Sequence, residues 1–102
     1  MDIVISQGED RHVHISIAGE FTFFDHAHFK HITALIHEPG VSGLTLDFTQ
    51  TRFIDSAGLG MLLLLRDEMQ QLNLPLRLKA PKDQVQRLFQ LSSFDQLFTL
   101  ID

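Results

Sequence analysis

Apolar and polar residues alternate at the start of the chain. Ile3 and Ile5 alternate with Val4 and Ser6, and Gly8-Glu9-Asp10 supplies a turn. Val13, Ile15 and Ile17 then alternate with His12, His14 and Ser16, a period of two that predicts a half-buried strand with its histidines on the wet face. The two segments read as a hairpin, and Gly19 is expected to break the second strand. The period then lengthens. Phe29, Ile32, Leu35 and Ile36 recur at helical spacing behind Asp25, a natural N-cap, and Pro39-Gly40 ends the helix. Leu44 to Phe48 returns to strand character.

Thr51 to Gly60 reads as a loop that leads into a helix carrying Met61 to Leu65, Met69 and Leu72. The first half of that helix is apolar nearly all round and is expected to be well buried. Asn73-Leu74-Pro75 stops it, and Leu76 to Lys79 alternates as a strand. Pro81 opens a further helix with Val85, Leu88, Phe89 and Leu91 toward the core. Phe94 to Ile101 reads as a helical turn followed by a short strand. The order β-β-α-β-α-β-α, with a final short β, predicts an α/β fold in one domain over residues 1–102. Strands joined through helices pair in parallel, and the opening hairpin makes the sheet mixed, so four to five strands with helices mainly on one face are expected.

Charge narrows the partners. Thirteen acidic residues against eight basic ones give a formal net charge of −5. A nucleic-acid surface needs a basic stripe and an anionic membrane surface attracts basic segments, so neither is expected. An acidic domain is steered toward basic protein surfaces. The chain has no cysteine, in keeping with a reducing compartment. Its N-terminal residues lack the basic and apolar regions of a signal peptide. The longest nearly apolar run, Ala57 to Leu65, has nine residues, far short of the ~20 that span a bilayer. The expected location is the cytoplasm, with no direct membrane insertion.

One segment carries candidate chemistry: Phe53-Ile54-Asp55-Ser56-Ala57-Gly58-Leu59-Gly60. Ser56 opens a helix, where free backbone N–H groups and the positive end of the helix dipole gather. Gly58 and Gly60 each weaken the first turn by roughly 1 kcal/mol relative to alanine, and they remove side chains that would obstruct a partner. A phosphate on Ser56 would be accommodated by the helix N-terminus, yet beside Asp55 it would repel a partner that tolerates an uncharged serine. The same pattern also suits a serine that only caps its helix and glycines that only allow close packing. A nucleophile elbow would need glycine at position 54, where isoleucine stands, and no histidine follows His37, so a catalytic serine is not expected.

Asp55-Ser56-Ala57-Gly58-Leu59-Gly60 resembles the signature of the STAS family, specifically the bacterial anti-sigma factor antagonists, in which a strand leads to Asp-Ser-Ser/Ala-Gly-Leu-Gly and an apolar helix. Gly19-Glu20-Phe21 is similar to that family's Gly-Glu-Leu-Asp, and Val85-Gln86-Arg87-Leu88-Phe89 to its Val-x-Arg-Leu-Phe helix. The three matches fall in the family's order, and the likeness covers essentially the whole chain. It departs at Thr22, where the family has aspartate, and at Ala57, which leaves Ser56 the only hydroxyl of the signature.

The resemblance implies a STAS-like fold and a non-enzymatic regulator without a cofactor. Ser56 would be its phosphoacceptor. The partners implied are a serine kinase that is also an anti-sigma factor, bound by the unmodified form, and a separate serine phosphatase. The expected partner-binding residues are Asp55 to Gly60 with Glu20, Phe21, Thr22, Phe23 and Phe24; the closeness of the three phenylalanines suits either core or a partner-contacting patch with at least one ring exposed beside Ser56. The alternative is a constitutive STAS subunit that docks on the ATPase of a membrane transporter such as a lipid transport complex. The six histidines fall at 12, 14, 26, 28, 31 and 37 without a completing carboxylate or cysteine, so no metal site is expected. Monomer and weak dimer both remain open.

Overall fold

A computed structural model describes residues 2–8 and 10–102. Strands β1 (Asp2–Gln7) and β2 (His12–Phe21) form the expected hairpin, with Ile3 opposite Ile17 and Ile5 opposite Ile15. The Gly8 N–H donates to the His12 carbonyl at 2.8 Å across the turn, while Glu9 lies outside the described residues. Val13, Ile15 and Ile17 are buried, and His12 and His14 sit half-buried on the opposite face. Strand β3 (Gly43–Asp47) runs parallel to β2, β5 (Leu76–Lys79) parallel to β3, and β6 (Thr99–Ile101) parallel to β5. The sheet order is β1-β2-β3-β5-β6, with β4 (Thr51–Ile54) pairing β2 off that path.

Two expectations about the sheet are corrected. Among the described residues the sheet has six strands rather than four or five, because Thr51–Ile54, expected as loop, is a strand. Four residues are too few to display a period, and what makes them a strand is a distant partner. The second correction concerns Gly19, which does not end β2. At φ +87°, a conformation that glycine adopts without a Cβ penalty, it shifts the register between Gly19 and Glu20. Upstream β2 pairs β3, to Ser16 opposite Asp47; downstream it pairs β4, with Phe21 opposite Ile54. The buried Thr51 hydroxyl donates to the Ile17 carbonyl at 2.6 Å and fastens the switch.

Helix α1 (His26–Ile36) buries Phe29, Ile32 and Ile36. Asp25 stands at its N-cap position but makes no side-chain cap bond there. It closes a capping box one turn earlier instead, around a 3-10 turn over Phe23–Asp25: Oδ2 accepts the Thr22 N–H at 2.7 Å, while Thr22 Oγ1 accepts the Phe24 N–H at 3.3 Å.

Helix α2 (Ser56–Gln71) buries Gly58, Met61, Leu62, Leu65 and Met69. Contrary to the expectation that its first half is well buried, Leu63 and Leu64 are exposed, the latter by 64%. A helix on one face of a single sheet has only one side to bury. Helix α3 (Asp83–Leu91) starts two residues later than Pro81, with Lys82 as N-cap, and buries Val85 and Phe89 while Leu91 stays exposed. Helix α4 (Phe94–Leu97) and β6 supply the expected closing turn and strand. Phe89 sits edge-on to Phe48 at 5.5 Å and stacks on Phe94 at 5.3 Å, which ties α3 and α4 to the sheet.

Candidate functional site

The site is built at the step from β4 to α2. Asp55 is extended (φ −105°) and forms the N-cap of α2: its Oδ1 accepts the Gly58 N–H at 2.8 Å. Its Oδ2 accepts the Phe23 N–H at 3.3 Å, and its own N–H donates to the Phe21 carbonyl at 3.3 Å. One carboxylate thus joins the helix start to the 3-10 turn 32 residues earlier, and the Asp55 N–H brings the signature against the end of the Gly19-Glu20-Phe21 match. The cap is Asp55, and Ser56 is the first helical residue, with an exposed side chain. Among the described residues nothing hydrogen-bonds the Ser56 hydroxyl. That hydroxyl is therefore free of the capping duty that the sequence also allowed it.

The two glycines of the first turns differ. A Cβ on Gly58 would lie 2.7 Å from the Phe21 carbonyl oxygen and 2.7 Å from Ile54 Cγ1, so this glycine is required for α2 to approach the ends of β2 and β4. A Cβ on Gly60 would meet nothing within 4 Å. Helical glycine at an open position costs stability without a packing reason. Gly60 keeps the outer surface of α2 low.

That outer surface is apolar. Residues 56, 57, 60, 63 and 64 follow one another along one side of the helix. Ser56, Leu63 and Leu64 are exposed there, and Ala57 and Gly60 half-buried. Across the Asp55 link stand Phe23, 65% exposed, and Phe24, 91% exposed, their rings edge to face at 6.0 Å. Phe21, expected among the contact residues, is buried and stacks on Phe29 at 5.9 Å, so its ring supports the surface from beneath. Gly58 is likewise buried. Glu20 is exposed beside the turn; Thr22 is half-buried in its capping box and Leu59 half-buried against the core. Leu63 and Leu64 escaped the sequence reading. Their signal was available: five consecutive apolar residues exceed what one side of a helix can bury.

The Val85–Phe89 match lies away from this surface and acts structurally. Beside it, Gln84 accepts the Ile54 N–H at 3.0 Å and donates to the Ile54 carbonyl at 3.0 Å, which closes the free edge of β4 and steadies the segment before Asp55. The open face of the sheet is polar. His12 Nε2 lies 2.8 Å from Thr45 Oγ1, and burial, with His14 and Arg77 nearby, holds its pKa below the ordinary value. Burial pushes the Asp47 carboxyl up, but hydrogen bonds from Thr49 and the charges of Lys79 and His14 outweigh it and set its pKa below the usual range. Among the described residues no three of His, Cys, Asp and Glu are grouped to hold a metal ion, and no helix is long and apolar enough to cross a membrane.

Residues 5–102 match the family described as "Mlab, STAS domain". No protein of curated function matches the chain. Among solved structures, a protein of Thermotoga maritima provisionally named an anti-sigma factor antagonist superposes with a TM-score of 0.89 at 19% identity, covering 98% of this chain and 86% of that one. The phosphorylated form of SpoIIAA, a Bacillus cell fate determinant, gives 0.76 at 20%, covering 97% and 90%. A sulfate transporter family protein of Wolinella succinogenes gives 0.75 at 17%, covering 87% and 75%. At these identities the likeness establishes the fold.

Proposed function

Since the chain belongs to the STAS-domain family, we propose that it is a protein-binding regulator of the anti-sigma factor antagonist kind, whose partner docks around Ser56 and is released when Ser56 is phosphorylated. The observation that carries this reading is the pairing of a free, exposed hydroxyl at a helix start with a dry rim of Phe23, Phe24, Leu63 and Leu64. A phosphate adds about −1.5 to −2 charges. The positive end of α2 supports it within the free protein. Under a partner seated on that rim it would be desolvated beside Asp55, and binding would fail. The reading places the protein in the cytoplasm. Its partners there are a serine kinase that is also an anti-sigma factor and an opposing phosphatase. ATP and its metal belong to the kinase, and this chain contributes binding rather than catalysis.

The intact mass of the protein from its own cells tests the switch. One added phosphate is expected in the natural protein and none in Ser56→Ala. Phe24→Ser, at a residue 91% exposed, is expected to leave folding within about 0.5 kcal/mol. It should weaken capture of the partner tenfold or more, as for an aromatic anchor. Full capture by Phe24→Ser would remove the rim from the interface.

A second reading is a constitutive subunit docked on a membrane transporter ATPase, with Ser56 never modified. It is favoured by the apolar pair Leu63 and Leu64, which suits a permanent interface, and by the family description itself. Co-purification with an ATPase in the membrane fraction, together with an unmodified mass in growth and starvation, would select it.

A further inference from the structure

The sheet ends differently on its three free sides. The outer edge of β4 is closed by the Gln84 side chain, and β6, at the far side, has only three residues. Strand β1 is left as a six-residue edge, Asp-Ile-Val-Ile-Ser-Gln, paired on one side by β2. Every second residue of such a strand presents its N–H and C=O outward. Natural edges are blunted by lysine, proline, bulges or shortness. β1 has none of these devices; it carries Val4 at 69% exposure, and Asp2 is its one charged residue. Beside it Ile3 and Ile5 form, with His31, Ala34 and Leu35 of α1 and Glu38 just beyond it, an apolar cleft of about 300 Å³ open to solvent.

We propose that the β1 edge and this cleft are where a second copy of the chain docks, joining two sheets antiparallel about a two-fold axis at Val4. The occupant follows from self-complementarity. Antiparallel pairing centred on Val4 sets Ile3 against Ile5 of the second copy and Asp2 against its Ser6, so no like charges face each other. Ile3 and Ile5 centre the strand side of the cleft on Val4. His31 and Glu38 centre the helix side between Ala34 and Leu35. Since all of these residues line one cleft, a two-fold that lays one cleft over the other would set His31 of one copy toward Glu38 of the other, with each copy's isoleucines and Leu35 over the other's cleft. A foreign strand would meet the backbone edge equally well but has no reason to match both centres. This surface is separate from the rim around Ser56, so dimerisation leaves that rim free.

Sedimentation velocity across concentration tests the proposal, with folding of each variant checked by circular dichroism. The natural chain is expected to reach a dimer. Val4→Lys, which sets two like charges face to face, should raise the dimer Kd at least tenfold while the melting temperature holds. His31→Glu should weaken the dimer, and His31→Glu combined with Glu38→His should recover it. The chain has no cysteine, so single replacements report the register. Val4→Cys should cross-link with itself under mild oxidation; Ser6→Cys should not, except when mixed with Asp2→Cys. A protein that stays monomeric to about 1 mM, or a dimer indifferent to Val4→Lys, overturns the proposal. So does a dimer that cross-links through Ser6→Cys alone.

Discussion

Gly58 and Gly60 lie two residues apart in one helix, and the structure assigns opposite signs to the same substitution. Alanine in place of glycine in a helix gains about 1 kcal/mol from backbone entropy and propensity. At Gly60 nothing stands within 4 Å of the new Cβ, so Gly60→Ala should realise most of that gain. At Gly58 the Cβ would lie 2.7 Å from the Phe21 carbonyl oxygen, a backbone atom held in the β2–β4 pairing, and 2.7 Å from Ile54 Cγ1. Overpacking of this kind costs about 1–3 kcal/mol, and a backbone neighbour places it in the upper part of the range. After the propensity gain, Gly58→Ala should be about 1–2 kcal/mol less stable than the natural protein. The two variants then differ by about 2–3 kcal/mol. In a domain of about 100 residues each kcal/mol moves the melting temperature by roughly 4–8 °C. Urea and thermal unfolding followed by circular dichroism resolve a gap of that size. The close-approach argument is refuted if Gly58→Ala melts at or above the natural protein, or if Gly60→Ala melts below it. Gly60→Ala carries a further test of the interface. It should weaken partner capture although the fold has gained stability, because a methyl rises from the surface on which the proposed partner would seat.

Two further outcomes follow from the side chains. Asp55→Ala removes the α2 cap and the tie to Phe23, so it should cost about 0.5–2 kcal/mol and speed amide exchange at Phe23. Asp55→Asn should keep most of the stability, and equal stability of the alanine variant would contradict the cap. Acidification should weaken the fold in two stages. The His12 pKa is lowered on folding, so its contribution is complete above the ordinary 6.5 and is lost as the pH falls from there through the folded value. The Asp47 pKa is also lowered, so its contribution survives to the usual carboxylate range and is lost only below it. Melting curves from pH 8 to 3 should show both stages, and His12→Gln should flatten the first while sparing the second.

What the chain's own pattern determined was local. The period of two in residues 12–17, the helical spacing of Phe29, Ile32 and Ile36, and the stops at Pro39-Gly40 and Pro75 follow from short-range geometry, and each appeared where expected. The likeness of residues 55–60 to the STAS signature was also legible, since it rests on residue identity alone. Tertiary structure decided the rest. Thr51–Ile54 became a strand because Gly19 frees the end of β2 to receive it, a contact across more than 30 residues. Capping passed from Ser56 to Asp55 because that carboxylate can serve α2 and the Phe23 turn together. Phe21 went inside while Phe23 and Phe24 stayed out, although all three are phenylalanines. A hydrophobic side chain is buried by the surface that covers it, and one layer of helices on one sheet face covers Phe21 but leaves Phe24, Leu64 and Val4 in water.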